Sequence, residues 1–316
     1  MPKTQEKTEA LYGEPWPWFY YQNYERRLSN LDVDPELRKI VEHFVRNGYA
    51  IVDPRFENFD ELAQTIIDSL DYDSRFDKGR HVQEAWKYCE PVRTLAVYPR
   101  ILKILRAMYQ LEPIPFQTMN FRIGNPQRIH SDAIHLQTMP KGFLCAVWIA
   151  LEDVDSENGP LFAYPKSHRF PMLDLHELGL GSRTESIHNY RRYQTFLEQL
   201  VEDEGLQRTT FQVKNGTAII WAANFLHGVS PEMDGSRSRH SQITHYYFGN
   251  TIHYRPVSSD PLGGGFHIDD EVENILTGKQ VPNFYRGNEG LHWESVRARS
   301  ALYRAVRFYL ARFFGT

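Results

Sequence analysis

The chain has 316 residues, of which 41% are apolar, 24% charged and 14% aromatic, with a net charge of −4. This is ordinary for a globular protein with room for one large core or two small ones, and the acidic balance argues against a general nucleic-acid binder, which carries clustered Lys and Arg. Met1 to Glu14 has no apolar signal core, no run approaches the about 20 apolar residues that span a bilayer, and Cys89 and Cys145 are too few for a disulfide framework or a thiolate zinc site; a cytoplasmic protein with free thiols is expected.

Residues 1–15 read as a loose arm. The aromatic run Pro15 to Tyr24 is too apolar to be left in water and is expected to pack on the body. Asp34 suits an N-cap and Pro35 the first helical position, and Leu37, Ile40, Val41, Phe44 and Val45 form one stripe ended by Gly48. Tyr49 to Val52 reads as a short buried strand, followed by helices at about 59–70 and 98–109.

From Pro115 the texture changes to short strands and turns. Phe116 to Ile123 is one expected strand, Phe143 to Leu151 a nearly continuous apolar one, and His240 to Gly249 another. Thr210 to Val213 and Thr217 to Trp221, separated by Asn215-Gly216, read as paired strands. Residues 170–208 look like a lid-like insertion, with Arg183, His188, Tyr190, Arg191, Arg192 and Tyr193 offered to a polar or anionic small molecule or simply to solvent. Glu294 to Phe313 patterns as an amphipathic helix. Closely spaced short strands point to a β-sandwich or barrel with flanking helices, a mainly β (α+β) chain. The chain is expected to form one domain over 1–316, with an N-terminal helical part at about 15–112.

The chemistry centres on Arg128-Ile129-His130-Ser131-Asp132. Residues i and i+2 of a strand point to one face, so His130 and Asp132 would project an imidazole and a carboxylate into one space. They are two thirds of the two-His-one-carboxylate triad that holds non-haem Fe(II) with open positions. His227, just after a strand, would complete it. Arg239 and Ser241 share a face at the start of a strand, where a guanidinium fork and a hydroxyl suit a carboxylate. A 2-oxo acid bound to the metal needs such a partner for its far carboxylate. Arg237 is the competing cation; Ser241 two residues on and Tyr246 seven residues on favour Arg239.

At these residues the chain resembles the phytanoyl-CoA dioxygenase family of Fe(II)/2-oxoglutarate oxygenases, from about Leu37 to Phe248. His130-Ser131-Asp132 with His227 matches the family's triad, and Arg239-His240-Ser241 its Arg-x-Ser element. Val147-Trp148-Ile149-Ala150-Leu151, Glu157-Asn158-Gly159-Pro160-Leu161 and Tyr164-Pro165-Lys166-Ser167-His168 resemble further family segments, with Lys166 where Gly is usual. The resemblance implies a double-stranded β-helix (a cupin-like jelly roll) with helices outside. It also implies a tryptophan, Trp148, beside the cosubstrate; Gln117 and Asn120 lie on the strand before the ligands. The implied activity is that of an Fe(II)- and 2-oxoglutarate-dependent dioxygenase. It would consume O2, release succinate and CO2, and hydroxylate, desaturate or cyclise a small molecule. A carboxylate at Asp132 favours these outcomes over halogenation. His135, His168, His240 and His245 are surplus to a triad. The alternatives are a jelly-roll metalloprotein doing hydrolysis or isomerisation, which needs no Arg-x-Ser element, and a non-catalytic binding jelly roll, which needs no intact triad.

Overall fold

The structure is a computed structural model that describes residues 16–71, 73, 81–124, 126–180, 186–261 and 265–284. The expected helix over 294–313 and Arg183 lie outside the described residues. The N-terminal aromatic run packs inward: Trp18 Nε1 donates to the Met108 carbonyl at 2.8 Å, and Phe19 meets Phe44 and Tyr109 edge-on. The helix Pro35–Asn47 starts where Asp34 Oδ1 accepts from the Leu37 amide at 2.8 Å. It ends at Gly48, whose φ of +86° is cheap only for glycine. A Cβ there would also lie 2.5 Å from His168 Nδ1.

Fourteen strands are described. In chain order they are β1 (Tyr49–Val52), β2 (His81–Gln83), β3 (Pro113–Phe121), β4 (Gln127–His130), β5 (Gln137–Met139), β6 (Leu144–Ala150), β7 (Leu161–Ala163), β8 (Thr209–Thr210), β9 (Ala218–Ala222), β10 (His227–Val229), β11 (Ser241–Phe248), β12 (Ile252–Tyr254), β13 (Glu273–Asn274) and β14 (Lys279–Gln280). Helices Phe59–Leu70, Glu90–Ala96 and Pro99–Tyr109 precede β3, and Ser186–Asp203 lies between β7 and β8.

The strands build a six-stranded sheet in the order β1-β9-β6-β11-β3-β2 and a four-stranded sheet in the order β4-β10-β7-β8. All pairings are antiparallel. From β3 to β11 the chain passes back and forth between the large sheet (β3, β6, β9, β11) and the small one (β4, β7 with β8, β10), the winding of a double-stranded β-helix, while β5 pairs with β12 and β13 with β14 outside both. Period-two alternation divides the long apolar strands. Val147, Ile149, Ala218, Ile220 and Ala222 face the helices, in one core with Phe44, Ile66 and Leu105. Ala146, Trp148, Ile219 and Trp221 face inward, in a second core with Leu161, Ala163 and Val229 of the smaller sheet. Burial on both faces is why 143–151 reads as an unbroken apolar run.

Two expectations need correction. The strand expected at 116–123 runs instead from Pro113 to Phe121. Its first residues pair only with β11, beyond the reach of β2, so the missing N–H groups of Pro113 and Pro115 break no second ladder. The expected pairing of 210–213 with 217–221 does not form. Thr209–Thr210 joins β7 in the small sheet, whereas Ala218–Ala222 lies between β1 and β6 in the large one. Asn215-Gly216 is therefore a crossover, and a strand apolar on both faces gains more between two partners than in a hairpin. Among the described residues no helix is long and apolar enough to cross a membrane, and Cys89 and Cys145 are buried free thiols.

Candidate metal centre and its cavity

β4 ends at His130 and β10 begins at His227, and the two residues stand opposite each other in the antiparallel register. Their rings are 4.5 Å apart. Asp132 does not continue the strand but opens a short 3-10 turn, Asp132–Ile134. Ser131 between them stays extended (φ −119°, ψ 151°), so the i and i+2 side chains still share one space. The ligand atoms of His130, Asp132 and His227 lie within 4.8 Å of one another, close enough for one ion.

The state of these groups suits a cation. His130 Nδ1 contacts the Arg128 carbonyl at 3.0 Å and His227 Nδ1 the Phe225 carbonyl at 2.9 Å, contacts that require Nδ1–H on both rings and leave both Nε2 lone pairs free. Burial, then the nearby His227, hold the His130 pKa down to about 3, so its imidazole is neutral. Burial alone would raise the Asp132 carboxyl, but the imidazoles of His227 and His245 pull it below its ordinary value, and it is an anion. A neutral imidazole at His130 and a carboxylate at Asp132 are the forms in which these two groups bind a metal.

The three residues open onto a cavity of about 580 Å³ that is lined from both sheets. Arg239, just before β11, lies on its wall and is 2% exposed. Its Nη1 donates to Ser241 Oγ and its Nη2 to the Ile123 carbonyl, each at 3.3 Å, and its Nε has no partner. No carboxylate of the described residues pairs with it. Burial lowers its pKa to about 10, which leaves it charged at neutral pH. The competitor, Arg237, is held by Asp155 at 3.0 and 2.9 Å near the surface. Trp148 lines the cavity with its Nε1 unpartnered and the Arg239 guanidinium carbon 5.7 Å from its ring. Gln117 lines it from β3; Ser241 stands behind Arg239 and off the wall, and Asn120 is buried, donating to Gln242 at 3.4 Å.

The helix Ser186–Asp203 divides the expected lid residues. Tyr190 and Tyr193 turn inward, bonding His135 Nε2 and Ser131 Oγ at 3.0 Å each, while His188, Arg191 and Arg192 are exposed to solvent. His135 and His245, surplus to the triad in the sequence, stand on the cavity wall outside the His-Asp-His cluster, with His245 3.7 Å from Asp132 Oδ2, and two residues of the site carry no expectation from sequence: Trp221, whose Nε1 donates to Asp132 Oδ2 at 2.7 Å, and Gln194 on the cavity wall. For Trp221 the available signal was its place as the one aromatic residue of an apolar strand leading to His227.

A family model described as phytanoyl-CoA dioxygenase (PhyH) matches residues 33–241. "Phytanoyl-CoA dioxygenase domain-containing protein 1" of Danio rerio is 36% identical over 115 residues, which are 35% of this chain and 38% of that protein, so the match spans well under half of that relative's length. A homolog in Dictyostelium discoideum is 24% identical over 209 residues, 65% of each chain. Among solved structures, the non-haem α-ketoglutarate-dependent epimerase SnoN of nogalamycin biosynthesis is similar with a TM-score of 0.53 and 19% identity, over 74% of this chain and 99% of SnoN. EctD from S. alaskensis, solved with 2-oxoglutarate and 5-hydroxyectoine, is similar with a TM-score of 0.50 and 18% identity, over 68% of this chain and 76% of EctD. These likenesses establish the jelly-roll fold.

Proposed function

We propose that this chain, which belongs to the phytanoyl-CoA dioxygenase family, is an Fe(II)- and 2-oxoglutarate-dependent oxygenase acting on a polar small molecule, with His130, Asp132 and His227 as the metal ligands. The observation that carries this reading is a buried guanidinium without a counter-ion in the same cavity as a buried His-Asp-His cluster. Burying an unpaired charge is costly, and a dianionic cosubstrate relieves that cost by giving Arg239 a carboxylate to hold with its fork. A hydrolase or isomerase that works without a 2-oxo acid cosubstrate has no use for such a cation at this donor set. Iron and 2-oxoglutarate, the pair named in a structure of SnoN, would supply oxygen activation coupled to release of succinate and CO2.

The chain's own residues then have separable tasks. His130 and His227 offer Nε2, with their rings fixed by backbone carbonyls, and Asp132 offers an anionic oxygen without having to lose a proton. Arg239 anchors the far carboxylate, Ser241 orients Arg239 by accepting from Nη1, and Trp148 and Gln117 line the cosubstrate's space and keep water out. The substrate side is formed by Gln194 and the His135–Tyr190 pair. Two further cations on the wall already have partners, Arg128 with Glu198 and Arg255 with Asp269, which favours a polar over an anionic substrate.

The test is to load the protein with Fe(II), supply 2-oxoglutarate and O2 with a metabolite panel, and measure succinate. Succinate release that a panel member stimulates, and that His227→Ala abolishes, is the expected result. Absence of succinate under every condition would overturn the reading.

A further inference from the structure

Asp132 has two carboxylate oxygens, and they are treated differently. Oδ2 accepts from Trp221 Nε1 at 2.7 Å, the length of a charge-assisted hydrogen bond. His245 Nε2 is 3.7 Å from the same oxygen, beyond hydrogen-bond distance, so the indole is the closer donor by 1 Å. Oδ1 lies 3.7 Å from His227 Nε2. That gap is less than two metal–ligand bonds of about 2.1 Å laid end to end, so one ion can touch both atoms.

The same indole ring packs against the imidazole of His227, 4.7 Å between centroids at 47°. One side chain therefore touches two of the three candidate ligands. It does so from the other sheet: His130 and His227 belong to the four-stranded sheet, whereas Trp221 lies in β9, opposite Tyr49 on one side and Ala146 on the other. Trp221 is 2% exposed, and the turn that carries Asp132 is tied to the same region by the Ala133 amide, which donates to the Ala223 carbonyl at 3.0 Å. A Phe in this place would fill the space but leave the carboxylate free to rotate about its Cβ–Cγ bond.

We propose that Trp221 is a positioning residue of the metal centre. Its N–H fixes Asp132 Oδ2 so that Oδ1 is the oxygen presented to the ion, and its ring fixes the plane of His227. This rests on the metal-site reading above. Partners of this kind, which orient a ligand without touching the ion, are worth roughly 10–100-fold in metal affinity.

The experiment titrates Co(II), a stand-in for iron with a readable ligand-field spectrum, into the full wild-type chain and into Trp221→Phe. Affinity is followed by calorimetry and coordination by absorption. The expected result is a loss of about 10–100-fold in Co(II) affinity together with an altered ligand-field spectrum. A variant within twofold of wild type, with a superimposable spectrum, would overturn the role of Trp221 while leaving the metal site standing. A wild-type chain that takes up no Co(II) would overturn the metal site itself. A second measurement does not depend on the folding of Trp221→Phe. The Trp221 indole N–H resonance of the selectively labelled protein should move upfield and exchange faster with solvent in Asp132→Ala than in wild type, and an unchanged shift and exchange rate would also overturn the proposal.

Discussion

The six-stranded sheet is built of strands of three to nine residues with helices packed on its outer face, while the four-stranded sheet has strands of only two to four residues. Both line the cavity, with different groups. The small sheet places His130 and His227 at strand ends, where the chain leaves the ladder and can turn Asp132 in beside them. The large sheet holds Gln117, Trp148 and Trp221 within its strands and Arg239 at the foot of one. The difference teaches that short strands with free ends suit a cluster of converging donors, while a long, doubly buried sheet can hold a charge such as Arg239 away from water. Stability and metal binding should therefore respond to different substitutions.

The largest expected effect is on the small sheet. His227→Ala removes a donor outright, so Co(II) or Fe(II) affinity should fall by more than the roughly 100-fold upper end for loss of an outer partner, as read by calorimetry. Leu105→Ala probes the opposite side. Leu105 is fully buried in the core between the helices and the large sheet, and its truncation should cost about 2–5 kcal/mol in urea denaturation with metal affinity unchanged. A parallel fall in metal affinity would break the separation between the two sheets.

Arg239→Met sharpens the same contrast. It removes a buried cation that lacks a counter-ion, so the metal-free protein should be at least as stable as wild type on thermal melting. The Michaelis constant for 2-oxoglutarate should rise roughly 30-fold or more. The last effect is electrostatic and shows only as the pH is lowered. His168 is buried beside Gly48, and burial holds its pKa to about 3. Below pH 6.5 the unfolded chain takes up a proton at this position that the folded chain refuses until near pH 3. Stability contributed here is complete above pH 6.5 and is lost as the pH falls through that window, at up to about 1.4 kcal/mol per pH unit. His168→Gln should reduce the pH dependence of the urea midpoint between pH 4 and 6.5.

What could be read from the chain beforehand follows from how local each signal is. The helix Pro35–Asn47 was legible because Asp34, Pro35 and Gly48 mark its ends within the segment itself. The pairing of 210–213 with 217–221 was misread because strand partners are chosen by the fold: β9 lies between β1 and β6, both remote in sequence. The His130–Asp132 spacing brought the two side chains together although Asp132 lies in a 3-10 turn, since one extended residue preserves the alternation. Lys166 stands where the resembled family has Gly, and its φ of +74° is left-handed, the region that favours glycine. Trp221 could not be linked to Asp132 in advance, because 89 residues separate them and only the closure of the two sheets brings them together.

The most direct test of the account is anaerobic titration of 2-oxoglutarate into the Fe(II)-loaded chain, followed by visible absorption for the iron–oxo acid charge-transfer band and by calorimetry. One equivalent should bind and produce the band in wild type, His227→Ala should show no band, and Arg239→Met should bind far more weakly. Equal binding with and without iron, or by wild type and Arg239→Met alike, would contradict it.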